Sequence, residues 1–211
     1  MFTEEELDQY IQAHIDPEGE LLSRLNRDTN VKLVRSRMLS GHVQGRMLKM
    51  FCRMINAKRV LELGTFVGYS AQCFAEALPE DGIIYTIEEN DELEDFINEY
   101  LCLSPDKDKI RLLMGDAKAI IPTLEEEFDL VFIDADKREY CEYYDLVFPK
   151  VRKGGFMLAD NTLWSGKILD ESEHDPQTEG LRRFNDMVAA DERVEKVFVP
   201  SRDGLTIIYK K

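Results

Sequence analysis

The stretches Phe128-Asp-Leu-Val-Phe-Ile-Asp-Ala-Asp-Lys137 and Gly154-Gly-Phe-Met-Leu-Ala-Asp-Asn161 decide the fold, because each is a short apolar run that ends on acidic or amide side chains. Runs of this length, bounded by a turn signal such as Lys153-Gly154-Gly155, are typical of strands buried on both faces of a parallel sheet. The pattern therefore predicts two strands, Phe128 to Ile133 and Phe156 to Ala159, within an α/β fold.

Four polar side chains follow these runs: Asp134, Asp136, Asp160 and Asn161. If the two strands are neighbours, these side chains meet at the carboxyl edge of the sheet, where open α/β sheets bind ligands. Converging carboxylates repel one another unless a positive charge lies between them, and a hard divalent cation such as Mg²⁺, Ca²⁺ or Mn²⁺ prefers oxygen ligands. The alternative is that both acid pairs only cap helices. Their coincidence at two strand ends favours a metal site.

The composition indicates an ordinary soluble globular protein of 211 residues, with 44% apolar and 33% charged residues. A chain of this length fits one domain, and no linker-like stretch divides it. No apolar run approaches the roughly 20 residues that a membrane helix needs. The acidic start from Met1 to Asp8 fits neither a signal peptide nor a transit peptide, so a cytoplasmic location is expected.

Charge and cysteine content argue against several classes of partner. The formal net charge of −15 disfavours a broad nucleic-acid surface, since nucleic-acid binders usually carry a basic stripe. The four cysteines are widely spaced without a Cys-x-x-Cys pair, which disfavours a zinc site or a disulfide framework. We therefore expect free thiols and a small-molecule ligand, with no membrane and no nucleic acid.

The N-terminal part, residues 1–56, is predicted to be helical and to form a lid or interface segment on the same domain. The first helix covers residues 3 to 15, where Thr3 and Glu6 form a capping box. Asp16-Pro17 predicts the start of a second helix with Pro at its first position. A third helix is predicted from about Gly41 to Asn56.

Residues 57–211 alternate between strand and helix patterns and are predicted to form the sheet core. Three further strands are predicted at Val60 to Leu63, Ile83 to Ile87 and Ile110 to Met114, with helices at Gly68 to Leu78, Asp91 to Leu101, Asp116 to Leu124 and Thr178 to Ala190. This alternation implies a mostly parallel sheet with right-handed crossovers. The end differs, because Lys196 to Val199 and Leu205 to Tyr209 flank an Asp-Gly turn signal that is typical of an antiparallel hairpin.

The segment Glu62-Leu-Gly64-Thr-Phe-Val-Gly68-Tyr-Ser70 joins the first strand to its helix, and its glycines let the backbone approach a ligand closely. Phe66 stands where the dinucleotide-binding fingerprint has its second glycine, which favours a nucleoside ligand without phosphates. The alternative is a tight turn only.

Glu88, 24 residues after Gly64, ends the second strand where an acid accepts hydrogen bonds from ribose hydroxyls. Asp116 could accept from an adenine amino group and also cap the following helix.

These motifs resemble those of the cation-dependent O-methyltransferases, the caffeoyl-CoA and catechol O-methyltransferase group of S-adenosylmethionine enzymes. The resemblance rests on the segment from Glu62 to Ser70, on Phe132-Ile-Asp-Ala-Asp-Lys137 and on Ala159-Asp-Asn-Thr-Leu-Trp-Ser-Gly166. The first segment is shared by many methyltransferases, whereas the combination of the other two is more specific. The resemblance covers about residues 38 to 211 and implies a Rossmann-like class I methyltransferase fold, with a mostly parallel seven-stranded sheet, a C-terminal antiparallel hairpin and extra N-terminal helices.

The resemblance also implies a role for each matching residue. The cofactor S-adenosylmethionine would be bound by Met38, Glu62, Gly64, Thr65, Ser70, Glu88, Ala117, Asp134 and Asp136. The metal ligands would be Asp134, Asp160 and Asn161. Lys137 would be the catalytic base and would contact the substrate, and Asp134 would also be a catalytic residue. Trp164 would form part of an aromatic wall against the substrate ring.

Two positions depart from the pattern of the family. Members often have Asn two residues after the lysine, where this chain has Glu139, and Asn after the tryptophan, where this chain has Ser165. Both positions lie near the predicted substrate mouth, so a free catechol and a coenzyme A thioester both stay open as acceptors.

The predicted residues suit methyl transfer to a phenol. A phenol has a pKa of about 10, so little of its anion exists at neutral pH. Two adjacent oxygens bound to Mg²⁺ would have a lower pKa and a fixed orientation, and Lys137 could take the remaining proton. Alignment alone can remove about 7–11 kcal/mol of barrier. The alternative for Lys137 is a solvated surface lysine.

The main hypothesis is a Mg²⁺-dependent O-methyltransferase that acts on a catechol-type, caffeoyl-like small molecule. A tRNA hydroxyuridine O-methyltransferase is a second hypothesis, which the acidic charge disfavours. An NAD-dependent dehydrogenase is a third, which the incomplete glycine fingerprint disfavours. A cofactor-binding regulator without catalysis is a fourth. We also expect a homodimer, because members of the resembling family are commonly dimers.

Overall fold

The computed structural model describes residues 3–211, which fold around a central β-sheet with helices on both faces. The strands are β1 Arg59–Leu63, β2 Ile83–Glu88, β3 Ile110–Met114, β4 Phe128–Ile133, β5 Val151–Asp160, β6 Val194–Val199 and β7 Leu205–Lys210. The helices are α1 Glu4–His14, α2 Gly19–Lys32, α3 Gly41–Met54, α4 Tyr69–Ala75, α5 Glu94–Leu103, α6 Ala117–Ile120, α7 Tyr140–Val147 and α8 Pro176–Ala190. None of the helices in this range is long and apolar enough to cross a lipid bilayer.

The strand order is β3-β2-β1-β4-β5-β7-β6. The first five strands in this order pair in parallel, while β7 pairs antiparallel with both β5 and β6. The predicted architecture, a mostly parallel seven-stranded sheet closed by a C-terminal hairpin, is therefore confirmed. The reversal of strand order at β1 and β4 lies where open α/β sheets form a ligand crevice.

Two hydrophobic layers cover the sheet, because successive side chains of a strand point to opposite faces. Leu61 and Leu63 of β1 lie in the layer that includes α7 and α8, and Val60 lies in the layer that includes α3, α4 and α5. A third cluster joins Leu22 and Leu25 of α2 to the start of α4. The N-terminal helices thus pack directly on the sheet domain.

The start of the second helix was predicted wrongly. The helix begins at Gly19 and not at Asp16-Pro17, since Gly19 has a left-handed φ of +83°. The carbonyl oxygen of Asp16 lies 2.7 Å from Nε2 of His42 in α3, and this tertiary contact holds the segment as a linker. The capping box at Thr3 and Glu6 is confirmed.

The strand after Lys153-Gly154-Gly155 was predicted too short. β5 begins at Val151, and the two glycines form an irregularity inside the strand, so that residues 152–155 lie opposite Asp129 alone. Gly154 has a φ of +76°, and a Cβ on Gly155 would lie 3.0 Å from the carbonyl oxygen of Asp129. The glycines therefore mark a bulge and not a strand boundary.

The helix predicted from Asp116 to Leu124 is also shorter in the structure. It ends at Ile120 and continues as a 3-10 turn, Ile121–Thr123. Pro122 lies within that turn and has no backbone N–H group for an α-helical bond.

We predict that Gly64→Ala destabilises the fold strongly, because Gly64 lies against the end of β4. An added Cβ would lie 2.1 Å from the carbonyl oxygen of Asp134, at a backbone φ of +95°. Overpacking and the left-handed φ together should lower the free energy of unfolding by about 2–5 kcal/mol.

Gly19→Ala is the matched control for this prediction. Its φ is +83° but nothing lies within 4 Å of an added Cβ, so only the backbone cost of about 1–2 kcal/mol is expected. Urea unfolding followed by circular dichroism measures both variants. Equal losses in the two variants would contradict the close packing of Gly64 on β4.

Candidate active site

The carboxyl ends of β4 and β5 lie side by side. Ile133 is paired in register with Ala159, so the residues that follow them, Asp134 and Asp160, emerge together at the edge of the sheet. The hydroxyl group of Tyr140 lies 3.1 Å from the carbonyl oxygen of Ile133 and 3.0 Å from that of Asp160. Burial raises the pKa of this hydroxyl well above its usual value, so Tyr140 remains a donor that ties the two strand ends together.

The carboxylate of Asp160 lies in an environment that disfavours its charge. The Asp160 carboxylate accepts hydrogen bonds from the side-chain amide of Gln44 at 2.6 Å and from the backbone N–H of Asn161 at 2.9 Å. Burial, and next the nearby charge of Asp134, nevertheless raise the pKa of Asp160 to about 6. A cation between the two carboxylates would relieve this repulsion.

The donor set fits a hard cation. Within residues 3–211 no group of three or more His, Cys, Asp or Glu side chains has a metal-binding arrangement. The predicted set does not require one, because it consists of two carboxylates and the amide oxygen of Asn161. Oxygen donors of this kind suit Mg²⁺, which keeps several waters and uses few protein ligands. Asn161 has a left-handed φ of 58°, a conformation that Asn tolerates better than most residues.

Asp136 is paired with a neighbouring arginine. Its carboxylate accepts two hydrogen bonds from Nε of Arg138, at 2.9 and 2.8 Å, and one from Nη2, and it also caps the backbone N–H of Arg138. The hydrogen bond from Arg138 is the main reason that the pKa of Asp136 is lowered. Asp134 and Asp160 emerge at one edge of the sheet, whereas the convergence of Asp136 and Asn161 with them stays a prediction.

Lys137 is a buried lysine and not a solvated one. Its Nζ lies 2.7 Å from Oδ1 of Asp134 and 5.2 Å from the centre of the Tyr140 ring. The turn that carries it is packed tightly against α8, since a Cβ on Gly180 would lie 2.4 Å from the carbonyl oxygen of Lys137. This packing holds the ammonium group beside the carboxylate pair.

The loop after β1 leaves one polar atom without a partner. Thr65 and Thr86 share a hydroxyl contact of 2.6 Å, and Thr86 donates to Oε2 of Glu62 at 2.5 Å. The other carboxylate oxygen of Glu62 is buried and has no hydrogen-bond partner among the described residues. Complete burial raises the pKa of Glu62 to about 8. An unpaired buried acceptor is costly, so this oxygen is available to a ligand that donates.

Glu88 closes the same loop from the end of β2. Its carboxylate accepts hydrogen bonds from the backbone N–H groups of Phe66 at 2.7 Å and Asn90 at 2.9 Å. Burial raises the pKa of Glu88 despite these donors. A carboxylate can accept about four hydrogen bonds, so this group is oriented by its backbone donors and can still accept from a ligand.

The remaining predicted cofactor residues differ in how exposed they are to solvent. Ser70 is buried in the first turn of α4, and Ala117 is buried at the start of α6, where Asp116 caps the helix through the N–H of Lys118 at 2.8 Å. Met38 is 51% exposed in a short 3-10 turn before α3, so its side chain lies at the surface. Gly64 and Thr65 both donate to the carbonyl oxygen of Ile87, at 3.0 and 3.1 Å.

Trp164 lies in a strained loop that the β6–β7 turn supports. Trp164 and Ser165 have left-handed φ values of 46° and 52°. The backbone N–H groups of Leu163 and Trp164 donate to the carbonyl oxygen of Asp203 at 2.8 and 3.1 Å, and the Ser165 hydroxyl donates to its carboxylate at 2.6 Å. Trp164 packs partly against the core layer of α7 and α8.

Sequence reasoning placed residues 41–45 at the mouth of the site but missed the contacts of Gln44, and it missed Tyr140 and Arg202 altogether. A local signal existed for Gln44, because it lies four residues before Leu48 on the apolar face of α3, where a polar residue needs a partner. No local signal existed for Arg202, whose guanidinium contacts Gln44 across 158 positions of the sequence.

The chain is similar to known O-methyltransferases over nearly its whole length. The O-methyltransferase family model matches residues 12–211. The chain is 35% identical over 177 residues to a catechol O-methyltransferase of Niastella koreensis, covering 80% of each sequence. It is 34% identical over 218 residues to a caffeoyl-CoA O-methyltransferase of Populus kitakamiensis, covering 96% of this chain and 92% of that one.

A similar solved structure is that of the O-methyltransferase TomG from Streptomyces achromogenes, involved in tomaymycin synthesis, in complex with SAM. It superposes on 100% of both chains with a TM-score of 0.93 at 29% identity. An O-methyltransferase from Bacillus cereus in complex with SAH superposes with a TM-score of 0.89 at 26% identity, covering 98% of this chain and 97% of that one.

We predict that Glu62 makes the protein less stable as the pH rises. Its pKa is raised from 4.5 in the unfolded chain to about 8 in the folded protein, so between these values only the folded state holds the proton. The contribution of this group to the free energy of unfolding is complete below pH 4.5 and should fall by up to about 1.4 kcal/mol per pH unit above it.

The comparison is between the wild type and Glu62→Gln in urea unfolding from pH 5 to 7.5. The unfolding free energy of the wild type should fall relative to that of Glu62→Gln as the pH rises. Glu195→Gln, at an exposed position of β6, is the control and should follow the wild type at every pH. Parallel curves for Glu62→Gln and the wild type would show that Glu62 is ionised in the folded protein.

Proposed function

Because this chain belongs to the O-methyltransferase family, we propose that it transfers a methyl group from S-adenosylmethionine to one hydroxyl of a catechol-type small molecule with the help of Mg²⁺. The family and the enzyme class predicted from the sequence, an S-adenosylmethionine-dependent O-methyltransferase, are confirmed by this membership. The observation that carries the rest of the proposal is the pair of carboxylates, Asp134 and Asp160, with the buried Nζ of Lys137 at 2.7 Å from the first.

The loop after β1 supplies groups for the methyl donor. The unpaired oxygen of Glu62 is suited to accept a hydrogen bond from the ammonium group of the donor's methionine part. Glu88, oriented by two backbone donors, is suited to accept from ribose hydroxyls at the end of β2. Ala117, the buried first residue of α6, would lie against the adenine part of the donor.

The carboxylate pair supplies the acceptor side. Asp134, Asp160 and Asn161 would hold Mg²⁺, which when bound lowers the pKa of a chelated hydroxyl and fixes its orientation. Lys137 would take the proton that the hydroxyl group loses in its neutral amine form, since an ammonium group has no free lone pair, and Asp134 and the Tyr140 ring hold its Nζ at this place. The loop with Trp164 would cover the face of the aromatic ring.

The acceptor is proposed to be a small catechol and not a nucleic acid. The net charge of −15 opposes binding to a phosphate backbone. The catechol and caffeoyl-CoA enzymes quoted above are about equally similar to this chain, at 35% and 34% identity, so both the free catechol and its coenzyme A thioester belong in the test.

The test is transfer of a radiolabelled methyl group to a panel of acceptors. The panel contains a free catechol acid, its coenzyme A thioester, a monophenol of the same skeleton and a tRNA transcript. We expect transfer to a catechol that needs added Mg²⁺ and stops in excess chelator. Transfer that is unchanged by the chelator, or that occurs equally on the monophenol, would contradict the proposed metal-assisted chemistry.

We predict that Lys137→Met lowers kcat by about 10²–10⁴-fold, the usual contribution of a general base. The affinity for S-adenosylmethionine, measured by calorimetry, should stay within about twofold, because Lys137 is not among the residues proposed to bind the donor. Lys58→Met is the control, since Lys58 is ion-paired with Asp81 before the start of β1, at the end opposite the carboxyl edge of the sheet. A kcat for Lys137→Met equal to that of Lys58→Met would remove Lys137 from the mechanism.

A further inference from the structure

The turn between β6 and β7, residues 200–204, touches two separate walls of the candidate active site. Asp203 holds the loop with Trp164, as described above. Arg202, its neighbour, extends in the other direction to the segment that precedes and begins α3. This single turn therefore contacts the loop with Trp164 on one side and the start of α3 on the other.

The guanidinium group of Arg202 contacts this segment at three acceptors. Nη1 donates to the carbonyl oxygen of Ser40 and to the side-chain oxygen of Gln44, and Nη2 donates to the carbonyl oxygen of Leu39 at 3.4 Å. A planar guanidinium group suits such a multiple contact, because its N–H groups form a fixed fork.

The orientation of the Gln44 amide follows from chemistry. Arg202 can only donate, so the amide oxygen of Gln44 must face it, and the amide NH₂ group must then face Asp160. The NH₂ group lies 2.6 Å from Oδ2 of Asp160. Gln44 is only 3% exposed, so both ends of its amide are satisfied by these two partners in a buried place.

The backbone at Arg202 shows that the contact has a cost. Its φ is +52°, in the left-handed region where a residue with a side chain is destabilised relative to glycine. A glycine would suit this position of the turn better. The guanidinium contacts are what an arginine adds there.

We propose that Arg202 and Gln44 form a positioning relay that orients the carboxylate of Asp160 for cation binding and couples it to the segment from Leu39 to Gln44. This inference rests on the proposed function, since it takes Asp160 to be a cation ligand. Arg202 orients Gln44, and Gln44 then occupies one lone pair of Oδ2 and leaves the others for the ion. Partners of metal ligands that act in this way typically contribute about 10–100-fold to metal affinity.

The test is a Mn²⁺ titration of the intact chain followed by electron paramagnetic resonance, with Mn²⁺ as the probe for the oxygen site. Gln44→Met keeps the volume of the side chain and removes its donor. Arg202→Gly removes the guanidinium group and relaxes the backbone. Each variant should bind Mn²⁺ about tenfold or more weakly than the wild type. The double variant should be no weaker than the weaker single one, because both changes break the same relay.

A kinetic measurement separates positioning from general stability. In methyl transfer, the Mg²⁺ concentration for half-maximal rate should rise by the same factor in both variants, excess Mg²⁺ should restore kcat, and the KM for S-adenosylmethionine should not change. Arg193→Gly, which removes an arginine from the opposite end of β6, is the control and should bind Mn²⁺ as the wild type does.

The possible outcomes separate the relay from the proposed function. Wild-type affinity in Arg202→Gly and Gln44→Met overturns the relay and leaves the proposed function in place. A wild-type protein that binds no Mn²⁺ overturns the proposed metal chemistry, and the relay with it. If Gln44→Met does not fold, the exposed position Arg202 decides alone, with Arg202→Lys expected to give an intermediate loss because one ammonium group cannot reach all three acceptors.

Discussion

The parallel pairing of β4 with β5 is the constraint on which the site depends. It brings two acidic side chains to one edge of the sheet, where burial and the nearby charge of Asp134 raise the pKa of Asp160. The surrounding structure maintains this unfavourable arrangement with donors from three directions: Lys137 at Asp134, Gln44 at Asp160 and the Tyr140 hydroxyl at the strand backbones. Proteins retain such arrangements at functional sites, because a ligand of opposite charge recovers the cost on binding.

The N-terminal helices belong to the same arrangement. The hydroxyl groups of Tyr69 and Tyr100 donate to Glu18 and Asp28 of the N-terminal part, each at 2.5 Å. Tyr69 is the first residue of α4, directly after the loop from Glu62 to Gly68. The Tyr69 contact thus ties the N-terminal part of the chain to the loop proposed to bind the methyl donor, and the Arg202 contacts tie the segment before α3 to the β6–β7 turn.

Much of the fold could be predicted from the sequence because its signals are local. Short apolar runs identified the parallel strands, and the acids that end β4 and β5 identified the carboxylate pair. Predictions were wrong where distant residues override local preference. His42 holds Asp16 outside the second helix, and Asp129 lies against a bulge where Gly154-Gly155 suggested a strand boundary. The contact of Arg202 with Gln44 could not be predicted, because it joins a hairpin turn to a helix that only the finished sheet brings together.

The bulge in β5 separates the strand into two parts with independent registers. Val151 pairs with Phe128, but Phe156 pairs with Leu130, so the extra residues are confined to the stretch around Gly154. A change of chain length in that stretch can be absorbed there without altering which face of the sheet each later side chain occupies. Loss of one residue after the bulge, for example Met157, would have a different effect. Because side chains alternate along a strand, the side chains on one side of the deletion would move to the opposite face of the sheet. The bulge at Gly154-Gly155 therefore separates the register of Asp160 from the length of the chain that precedes it.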